Sequence, residues 1–465
     1  MKTSMKKITA TALLIIILGG IYFAVNSYLI GTKNFWVRTY GGPGTDCDSP
    51  YFIQEISSNE YMIVGTSNSF GQGEDDGLLV KINSKGEVIL SKSIGLQLED
   101  RIHQSIGGTQ EGEYLAVGYS TSQSYGYKDF LIVKFNQDGN LLWSKRVGSQ
   151  YDDVGYSITK TSDGNFIATG WTGKITGEDQ DVLVIKFDDT GDVLWAKTYG
   201  TKDDEEQAYS VASTSDGGVI IAAKKGTERM EALGHSNLLL IRLDSEGNIV
   251  WSKLIGGKNY YYLISPQAII EVSEGNYLIS AETYSEENKK DGVLIKINAE
   301  GEILWSRTVG TKENNERLRG ALKTPGNTYI AVGDLYNYDT SQGFLFEIDE
   351  EGNILKSKTV GSFAQGEVNR LDTILYTSDD SYIISGKTNF YGAGDFDNLV
   401  IKINKDLKGS RCSIISDIAG ILVSKEIPQS FSISLNTRPF LGIADQINLK
   451  VDNITTLETF LICPK

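Results

Sequence analysis

The chain has few of the residues that usually bind metals, cross-link or break strands. Among 465 residues there are two histidines, three cysteines and seven prolines. The cysteines form no CxxC pair and no cluster with histidine, which excludes the usual structural zinc sites. No Gly-x-Ser-x-Gly, HExxH or P-loop motif occurs either. We therefore assign no catalytic residue and no metal-binding residue, and an enzyme is the less favoured class of protein.

Basic charge is also scarce. The chain has 44 Lys and Arg against 60 Asp and Glu, so its formal net charge is −16. Residues 1–33 contain four lysines and no acid, which leaves a net charge of −20 on the rest of the chain. An acidic body of this kind repels phosphate backbones, so nucleic acid is excluded as a partner.

Only one long hydrophobic run occurs. Lys2, Lys6 and Lys7 precede 25 uncharged residues, Ile8–Thr32. This run is long enough to span a bilayer as a helix, whereas the apolar core of a signal peptide is usually shorter. We therefore expect residues 1–33 to be a single-pass membrane anchor, with the acidic body outside the cytoplasm because positive charges stay inside. Secretion after cleavage of a signal peptide is the alternative.

Glycine is abundant, with 50 residues, and the sequence around many of the glycines repeats. Segments such as "DGNLLWSKRVG", "TGDVLWAKTYG" and "EGEILWSRTVG" recur with a period of about 53 residues. Their tryptophans are Trp36, Trp143, Trp195, Trp251 and Trp305, and Leu90 and Lys356 occupy the two remaining places. Such a period is typical of an array or a propeller, because one unit cannot bury its apolar faces alone.

The pattern within each unit predicts four strands. In the third unit, alternating runs at 154–162, 165–172, 181–188 and 192–200 are separated by turns such as Asp163-Gly164. Seven sets of the first three strands are present, but the seventh lacks its fourth strand, and residues 34–42 form a fourth strand with no set before it. The sequence therefore predicts an all-β, seven-bladed propeller of four-stranded antiparallel blades over residues 34–408. Its N-terminal strand would complete the seventh blade.

Residues 409–465 depart from the repeat. Runs at 430–435, 446–451 and 459–463 have the composition of strands, so we expect a small C-terminal β appendage. Cys412 and Cys463 bracket it, and a disulfide between them would stabilise it if the body lies in an oxidising compartment. Two unpaired buried thiols are the alternative, and Cys47 has no evident partner.

The repeat pattern combines "DG-x-φ-φ-x-G-x-T", "D-φ-φ-φ-φ-K-φ" and "G-x-φ-x-W-x-K-x-x-G", where φ is apolar. It resembles the β-propeller repeats of bacterial and archaeal surface proteins, the SBBP-like group. The strand with tryptophan is similar to the W motif of quinoprotein-type propellers. The resemblance implies that the first strand of each unit is innermost and the tryptophan strand outermost. It implies no quinone, because no cofactor-binding residues of those enzymes are matched, and we assign no cofactor.

Candidate functional residues follow from this arrangement. The tryptophans recur in almost every unit, so we assign them to packing between blades rather than to ligand stacking. The longer loops, which join the second strand to the third and each unit to the next, would form one face, the loop face. The candidate ligand-binding residues there are Tyr125, Tyr127, Tyr261, Tyr336, Tyr391, Arg101, His103, Arg319 and Arg370.

Two of these groups have alternative interpretations. The basic side chains would form a positive channel mouth able to hold an anion, but we favour ion pairs with Asp100, Glu316, Glu367 or Asp372. Acidic loops with glycine, such as residues 67–77, have ligands suited to Ca²⁺, although none has EF-hand spacing and we favour solvated loops.

These features favour a membrane-tethered binding or scaffold module that holds a protein or a glycan through its loop face. A hydrolase or lyase that uses acidic residues at the channel mouth is one alternative. A structural component of the cell envelope is the other.

Overall fold

The computed structural model describes most of the repeat region and the strands that follow it. The described residues are 35–42, 48–174, 180–202, 204–226, 236–256, 260–262, 265, 267–284, 290–311, 313–337, 339–361, 364–391, 395–407, 415–417, 422–424, 429–432, 436–439, 443–446, 450–453 and 458–463. The predicted anchor at 1–33, Cys47 and Cys412 lie outside them. No helix long and apolar enough to cross a membrane is found among the described residues.

The strands form seven antiparallel sheets, which are the blades of a propeller. Blades 1 and 2 contain β2 (Asp48–Ser57), β3 (Glu60–Ser67), β4 (Asp76–Asn83), β5 (Val88–Gly95), β6 (Asp100–Gly107), β7 (Glu113–Ser120), β8 (Asp129–Asn136) and β9 (Leu141–Gly148). Blades 3 and 4 contain β10 (Asp152–Lys160), β11 (Phe166–Gly173), β12 (Asp181–Phe187), β13 (Val193–Gly200), β14 (Glu205–Ser213), β15 (Val219–Gly226), β16 (Asn237–Leu243) and β17 (Ile249–Gly256).

The remaining blades differ from this plan at the inner strand of blade 5 and the outer strand of blade 7. Blade 5 has a divided inner strand, β18 (Tyr260–Tyr262) and β19 (Ile269–Ser273), followed by β20 (Asn276–Tyr284), β21 (Lys290–Ile297) and β22 (Ile303–Gly310). Blades 6 and 7 contain β23 (Asn315–Lys323), β24 (Tyr329–Tyr336), β25 (Ser341–Ile348), β26 (Ile354–Val360), β27 (Asn369–Tyr376), β28 (Ser381–Thr388), β29 (Asp397–Asn404) and β1 (Trp36–Gly41).

The N-terminal strand closes the ring, as predicted. β1 pairs antiparallel with β29 from Trp36 opposite Lys402 to Tyr40 opposite Asn398. The first and last parts of the repeat region therefore share one sheet, so blade 7 is complete and the ring has no open gap between blades.

The core lies between the blades, and the tryptophans are part of it. The Trp36 indole Nε1 donates to the Ser84 carbonyl at 2.9 Å, and Trp251 Nε1 donates in the same way to Ala299. Both acceptors are in the turn between the third and fourth strands of the next blade. Gly301 in that turn has a φ of +70°, and a Cβ there would lie 2.7 Å from the Trp251 ring. The recurring tryptophan therefore joins neighbouring blades, as its recurrence predicted.

The strands of the predicted C-terminal β appendage each pair with a different blade of the propeller. They are β30 (Ile415–Asp417), β31 (Leu422–Ser424), β32 (Gln429–Ser432), β33 (Asn436–Pro439), β34 (Ile443–Gln446), β35 (Lys450–Asn453) and β36 (Glu458–Cys463). Each adds a fifth strand to the outer edge of one blade, in the order 6, 5, 4, 3, 2, 1 and 7. We call this segment the belt.

The twist of the blades explains how belt strands only about seven residues apart can reach the outer edges of successive blades. Successive belt strands begin seven residues apart, except that the last begins eight residues after its predecessor. Neighbouring strands of a sheet rotate by about 20–25°, so four steps turn the fifth strand by about 80–100° from the innermost one. The belt strands therefore run around the circumference, and the chain passes from one blade to the next without reversing. The sequence prediction did not include these pairings, because they depend on blade edges that distant parts of the chain form.

Candidate binding site at the channel mouth

A one-residue bulge recurs in the inner strand, close to the loop face. In six blades the register against the second strand skips one residue of the inner strand. The skipped residues are Tyr51, His103, Tyr156, Tyr209, Arg319 and Asp372. A bulge re-aims a side chain, and several of these side chains meet across neighbouring blades, as the distances below show. We call the space they surround the channel mouth.

In blades 2, 3, 6 and 7 a glycine on the second strand accommodates the bulge. A Cβ at Gly118 would lie 1.8 Å from the carbonyl oxygen of Arg101, and one at Gly333 would lie 1.8 Å from that of Arg317. Gly170 and Gly386 have the same close contact in blades 3 and 7. The repeated glycine in the "G-x-T" part of the pattern therefore lets the inner strand approach closely enough to bulge.

One side of the mouth is aromatic. The ring centroids of Tyr51 and His103 are 5.1 Å apart, those of His103 and Tyr156 are 4.7 Å apart and stacked, and those of Tyr156 and Tyr209 are 4.7 Å apart. His103 Nδ1 lies 2.6 Å from the Gly155 carbonyl and so carries the proton. Burial lowers the pKa of His103 to about 4, and the Arg101 and Lys128 charges add to the effect. The imidazole is therefore neutral at pH 7.

The other side is charged. Arg317 Nη2 lies 2.9 Å from Asp334 Oδ2, and Arg319 Nε lies 2.9 Å from Asp334 Oδ1. Arg370 Nε lies 2.7 Å from Asp372 Oδ1, and Arg319 Nε is 3.5 Å from the same oxygen. Burial alone would raise the pKa of Asp334, but the guanidinium charges of Arg319 and Arg317 outweigh it and lower that pKa. The Asp334 carboxylate is therefore ionised.

The sequence favoured ion pairs for these arginines, and the structure shows such pairs. Of the four acids named as partners, only Asp372 pairs with an arginine among the described residues. Arg101 pairs with Asp75 at 2.5 Å and with Glu99 at 2.7 Å. Asp100 instead accepts the Leu96 amide at 2.7 Å. Likewise, Glu316 accepts the Thr311 amide at 2.8 Å, and Glu367 accepts the side-chain amide of Asn369 at 2.7 Å. The acids that begin the inner strands thus hold the loops that precede or surround them.

The four candidate tyrosines whose side chains are described do not form one site. Tyr125 and Tyr127 lie together on a loop of blade 2 and are 42% and 57% exposed. In blade 6 the Arg317 guanidinium carbon lies 4.0 Å from the ring centroid of Tyr336. Tyr391 packs against the hydrophobic core between blades 6 and 7. Only the backbone of Tyr261, paired with Thr283, is described.

Several residues of the channel were missed from the sequence. Tyr51, Tyr156 and Tyr209 follow the same period as His103, so alignment of the repeats at the bulge would have found them. Asp334 was missed because its partners lie on the adjacent strand. A cavity of about 280 Å³ lies along the inner strands of blades 1 to 5 and is lined by Phe52, Gln104, Ile106, Ile158, Gln267 and Ile269 among others. The Gln267 amide bonds both backbone polar groups of Ile374 in blade 7.

Asp153, the second residue of the inner strand of blade 3 and close to its bulge, offers a pH-dependent prediction. Burial raises its pKa to about 7, and the Asp129 charge adds to the effect. Its stabilising contribution is therefore full below the unfolded-state pKa near 4 and is lost as the pH rises through about 7. We expect Asp153→Asn to gain about 2 kcal/mol in unfolding free energy relative to the wild type between pH 5 and pH 8.

Denaturant unfolding across that pH range measures this effect. Asp138→Asn is the matched control, because Asp138 is exposed in a turn of blade 2. A difference between Asp153→Asn and the wild type that does not change with pH would contradict the prediction.

No group of three or more His, Cys, Asp and Glu side chains able to hold a metal ion is found in the described part of the chain. The Ca²⁺ interpretation of the acidic loops stays a prediction.

Comparison with known proteins places the chain in a family. Residues 128–388, more than half of the chain, match the family model PQQ_2, described as outer membrane protein assembly factor BamB. A search of curated proteins finds no match.

The chain is also similar to solved propellers. Polysaccharide lyase Uly1 is 12% identical, with a TM-score of 0.43 over 77% of this chain and 90% of that one. Sqt1 from Chaetomium thermophilum is 11% identical, with a TM-score of 0.39 over 78% and 98%. At these values neither likeness bears on activity. The family match, the seven blades and the tryptophan contacts agree, and the chain belongs to the β-propeller repeat family described as outer membrane protein assembly factor BamB.

Proposed function

We propose that the protein is a binding scaffold that holds a protein partner on its loop face. The contact surface would be a patch of Leu98, Tyr125, Tyr127 and Tyr151, the loop-face patch. We further propose that a membrane anchor at residues 1–33 tethers the propeller outside the cytoplasm. The name of the family, an assembly factor, supports a protein-binding role.

The observation that carries the proposal is the exposure of four large apolar side chains on adjacent loops. Leu98, Tyr125, Tyr127 and Tyr151 are 48%, 42%, 57% and 40% exposed. Contiguous apolar groups on a surface mark interaction sites more often than scattered ones do. Tyrosine and arginine are also the residues that contribute most at protein interfaces, and Arg146 lies 4.4 Å from the Tyr125 ring centroid.

The loops that carry the patch are held in place before any partner binds. The Tyr125 amide donates to Asp129 Oδ2 at 2.9 Å, and the Leu98 amide donates to Ser122 Oγ at 3.2 Å. A Cβ at Gly126 would lie 2.2 Å from the Tyr151 carbonyl, so these two loops touch. A surface ordered in this way loses less conformational entropy on binding.

The acids that pair with the arginines do not favour the enzymatic alternative. The acids nearest the arginines, Asp75, Glu99, Asp334 and Asp372, are all in ion pairs. A carboxylate general acid needs a raised pKa, whereas the pKa of Asp334 is lowered. A glycan partner stays an alternative outcome of the experiment below.

Site-specific cross-linking of the full chain tests the proposal. A photoreactive residue replaces Tyr127, and in a control chain it replaces Leu304, which is 49% exposed on β22, the fourth strand of blade 5. We expect a protein adduct from position 127 alone. The purified partner should then bind Tyr127→Ser at least about tenfold more weakly than the wild type and bind Leu304→Ser normally. A glycan adduct at position 127, or equal affinity for Tyr127→Ser, would reject the proposal.

A further inference from the structure

Two arginines on the charged side of the channel mouth form ion pairs through Nε, and their terminal Nη atoms form no hydrogen bond among the described residues. Arg319 is held through Nε by Asp334 at 2.9 Å, and Arg370 is held through Nε by Asp372 at 2.7 Å. Both side chains are largely buried, at 9% and 17% exposure. We call these two side chains the arginine pair.

The arginine pair is also close together. Both Nε atoms approach Asp372 Oδ1, at 3.5 Å from Arg319 and 2.7 Å from Arg370. Burial lowers the pKa of Arg370, and the neighbouring Arg319 charge lowers it further, against the opposite effect of Asp372. Two guanidinium groups with unused donors therefore share one carboxylate oxygen, an arrangement that a further anion would stabilise.

The net charge of the groups around the arginine pair indicates which charge the bound anion should carry. Arg317, Arg319, Arg370 and Lys290 are connected through ion pairs to Glu282, Asp334 and Asp372. Four cations against three carboxylates leave one positive charge, inside a body whose overall charge is strongly negative. A monoanion neutralises this cluster, whereas a dianion would reverse its charge. Because a guanidinium donates two parallel N–H bonds in one plane, a planar carboxylate matches it best.

The aromatic side of the mouth supplies a second contact. Tyr51 is the bulged residue of blade 1, which is next to blade 7 and its Asp372, and Tyr51 begins the series that continues through His103 and Tyr156. A ring attached to the carboxylate would pack against these side chains. The neutral imidazole of His103 adds no charge that would compete with the arginine pair for the anion.

We propose that the arginine pair and Tyr51 form a binding site for a small ligand that has one carboxylate attached to a ring. This site is separate from the loop-face patch, which lies on the loops of blade 2. Failure of one proposal therefore leaves the other intact.

Calorimetric titration of the full chain with benzoate, acetate and inorganic phosphate at constant ionic strength and pH 7.5 tests the site. We expect saturable benzoate binding, acetate binding about tenfold weaker, and no saturable binding of phosphate. Arg370→Lys keeps the charge and the pairing with Asp372 but loses the two-pronged donor, so it should weaken benzoate binding at least about tenfold. Tyr51→Leu should weaken benzoate binding and leave acetate binding unchanged.

Arg38→Gln is the matched control, because it removes a surface guanidinium from β1, away from the channel, and should bind benzoate like the wild type. Thermal unfolding shows that each variant is folded before it is titrated. Phosphate that binds as tightly as benzoate would show a general anion site and overturn the proposal. Arg370→Lys with wild-type affinity for benzoate would overturn it as well.

Discussion

Removal of residues 415–465 is expected to lower the melting temperature by about 10 °C or more and to cause aggregation at micromolar concentrations. The deletion removes the outer strand of all seven blades at once. Each blade would then present an unpaired edge to solvent, and such edges are templates for pairing with other chains. A loss of several kcal/mol corresponds to a shift of this size in a large domain.

Nested truncations test whether the loss follows the pairing of the belt. A stop after residue 456 removes only β36, which is the longest belt strand and pairs with β1, the strand that closes the ring. We expect this first step to cost more than the next one, a stop after residue 448, which also removes β35. Full-length Cys463→Ser separates loss of the strand from loss of the predicted disulfide. An unchanged melting temperature after the complete deletion would show that the belt does not stabilise the propeller.

Gly118→Val is expected to destabilise the protein by about 3 kcal/mol or more, although valine has the higher strand propensity. A Cβ at this position would lie 1.8 Å from the Arg101 carbonyl, which is backbone and cannot rotate away. The inner strand of blade 2 must then move, and the bulge that presents His103 must change with it. Chemical denaturation measures the loss, and the imidazole NMR signals of His103 report the change at the channel mouth.

Gly107→Val is the matched control in the same blade. A Cβ there would meet no atom within 4 Å, so we expect an unfolding free energy close to that of the wild type. Equal destabilisation by the two substitutions would contradict the steric explanation. In blade 4 the position equivalent to Gly118 is occupied by Ala223, opposite Ala208, so a bulged blade can accommodate an alanine there. The test therefore uses valine, which is larger and branched.

The bulge connects the repeat pattern to the candidate binding site. The same glycine recurs in most blades because the same backbone geometry recurs, whereas the bulged residue itself varies between tyrosine, histidine, arginine and aspartate. A uniform scaffold thus carries side chains of different chemistry around one opening. Substitution of a bulged residue is therefore expected to change binding at the mouth more than it changes folding.

Most of the propeller could be predicted from local sequence. The tryptophan recurrence set the number of units, and the unpaired strand at residues 34–42 indicated how the ring closes. Both features depend on residues within one repeat or on a count of repeats, and periodicity records such features directly. The turns were predictable for the same reason, since Gly164 adopts a φ of +85° at the Asp-Gly turn.

The channel mouth was predicted only in part. Arg101, His103, Arg319 and Arg370 were placed near the starts of the inner strands, but the partners of Arg101 and Arg319 include Asp75 and Asp334, which lie on other segments. Which side chain a bulge presents is decided by the register between two strands, and no single run of residues records that register.

The sequence by itself determined the number of blades, the position of the tryptophans and the closure by β1, because each of these is a periodic property of one chain segment. Only the tertiary structure decided the belt and the arginine pair. A belt strand of three or four residues has no periodicity of its own and is defined by the edge of a distant blade. The donors left unused on Arg319 likewise follow from Asp334 and Asp372, carboxylates that other strands bring beside it.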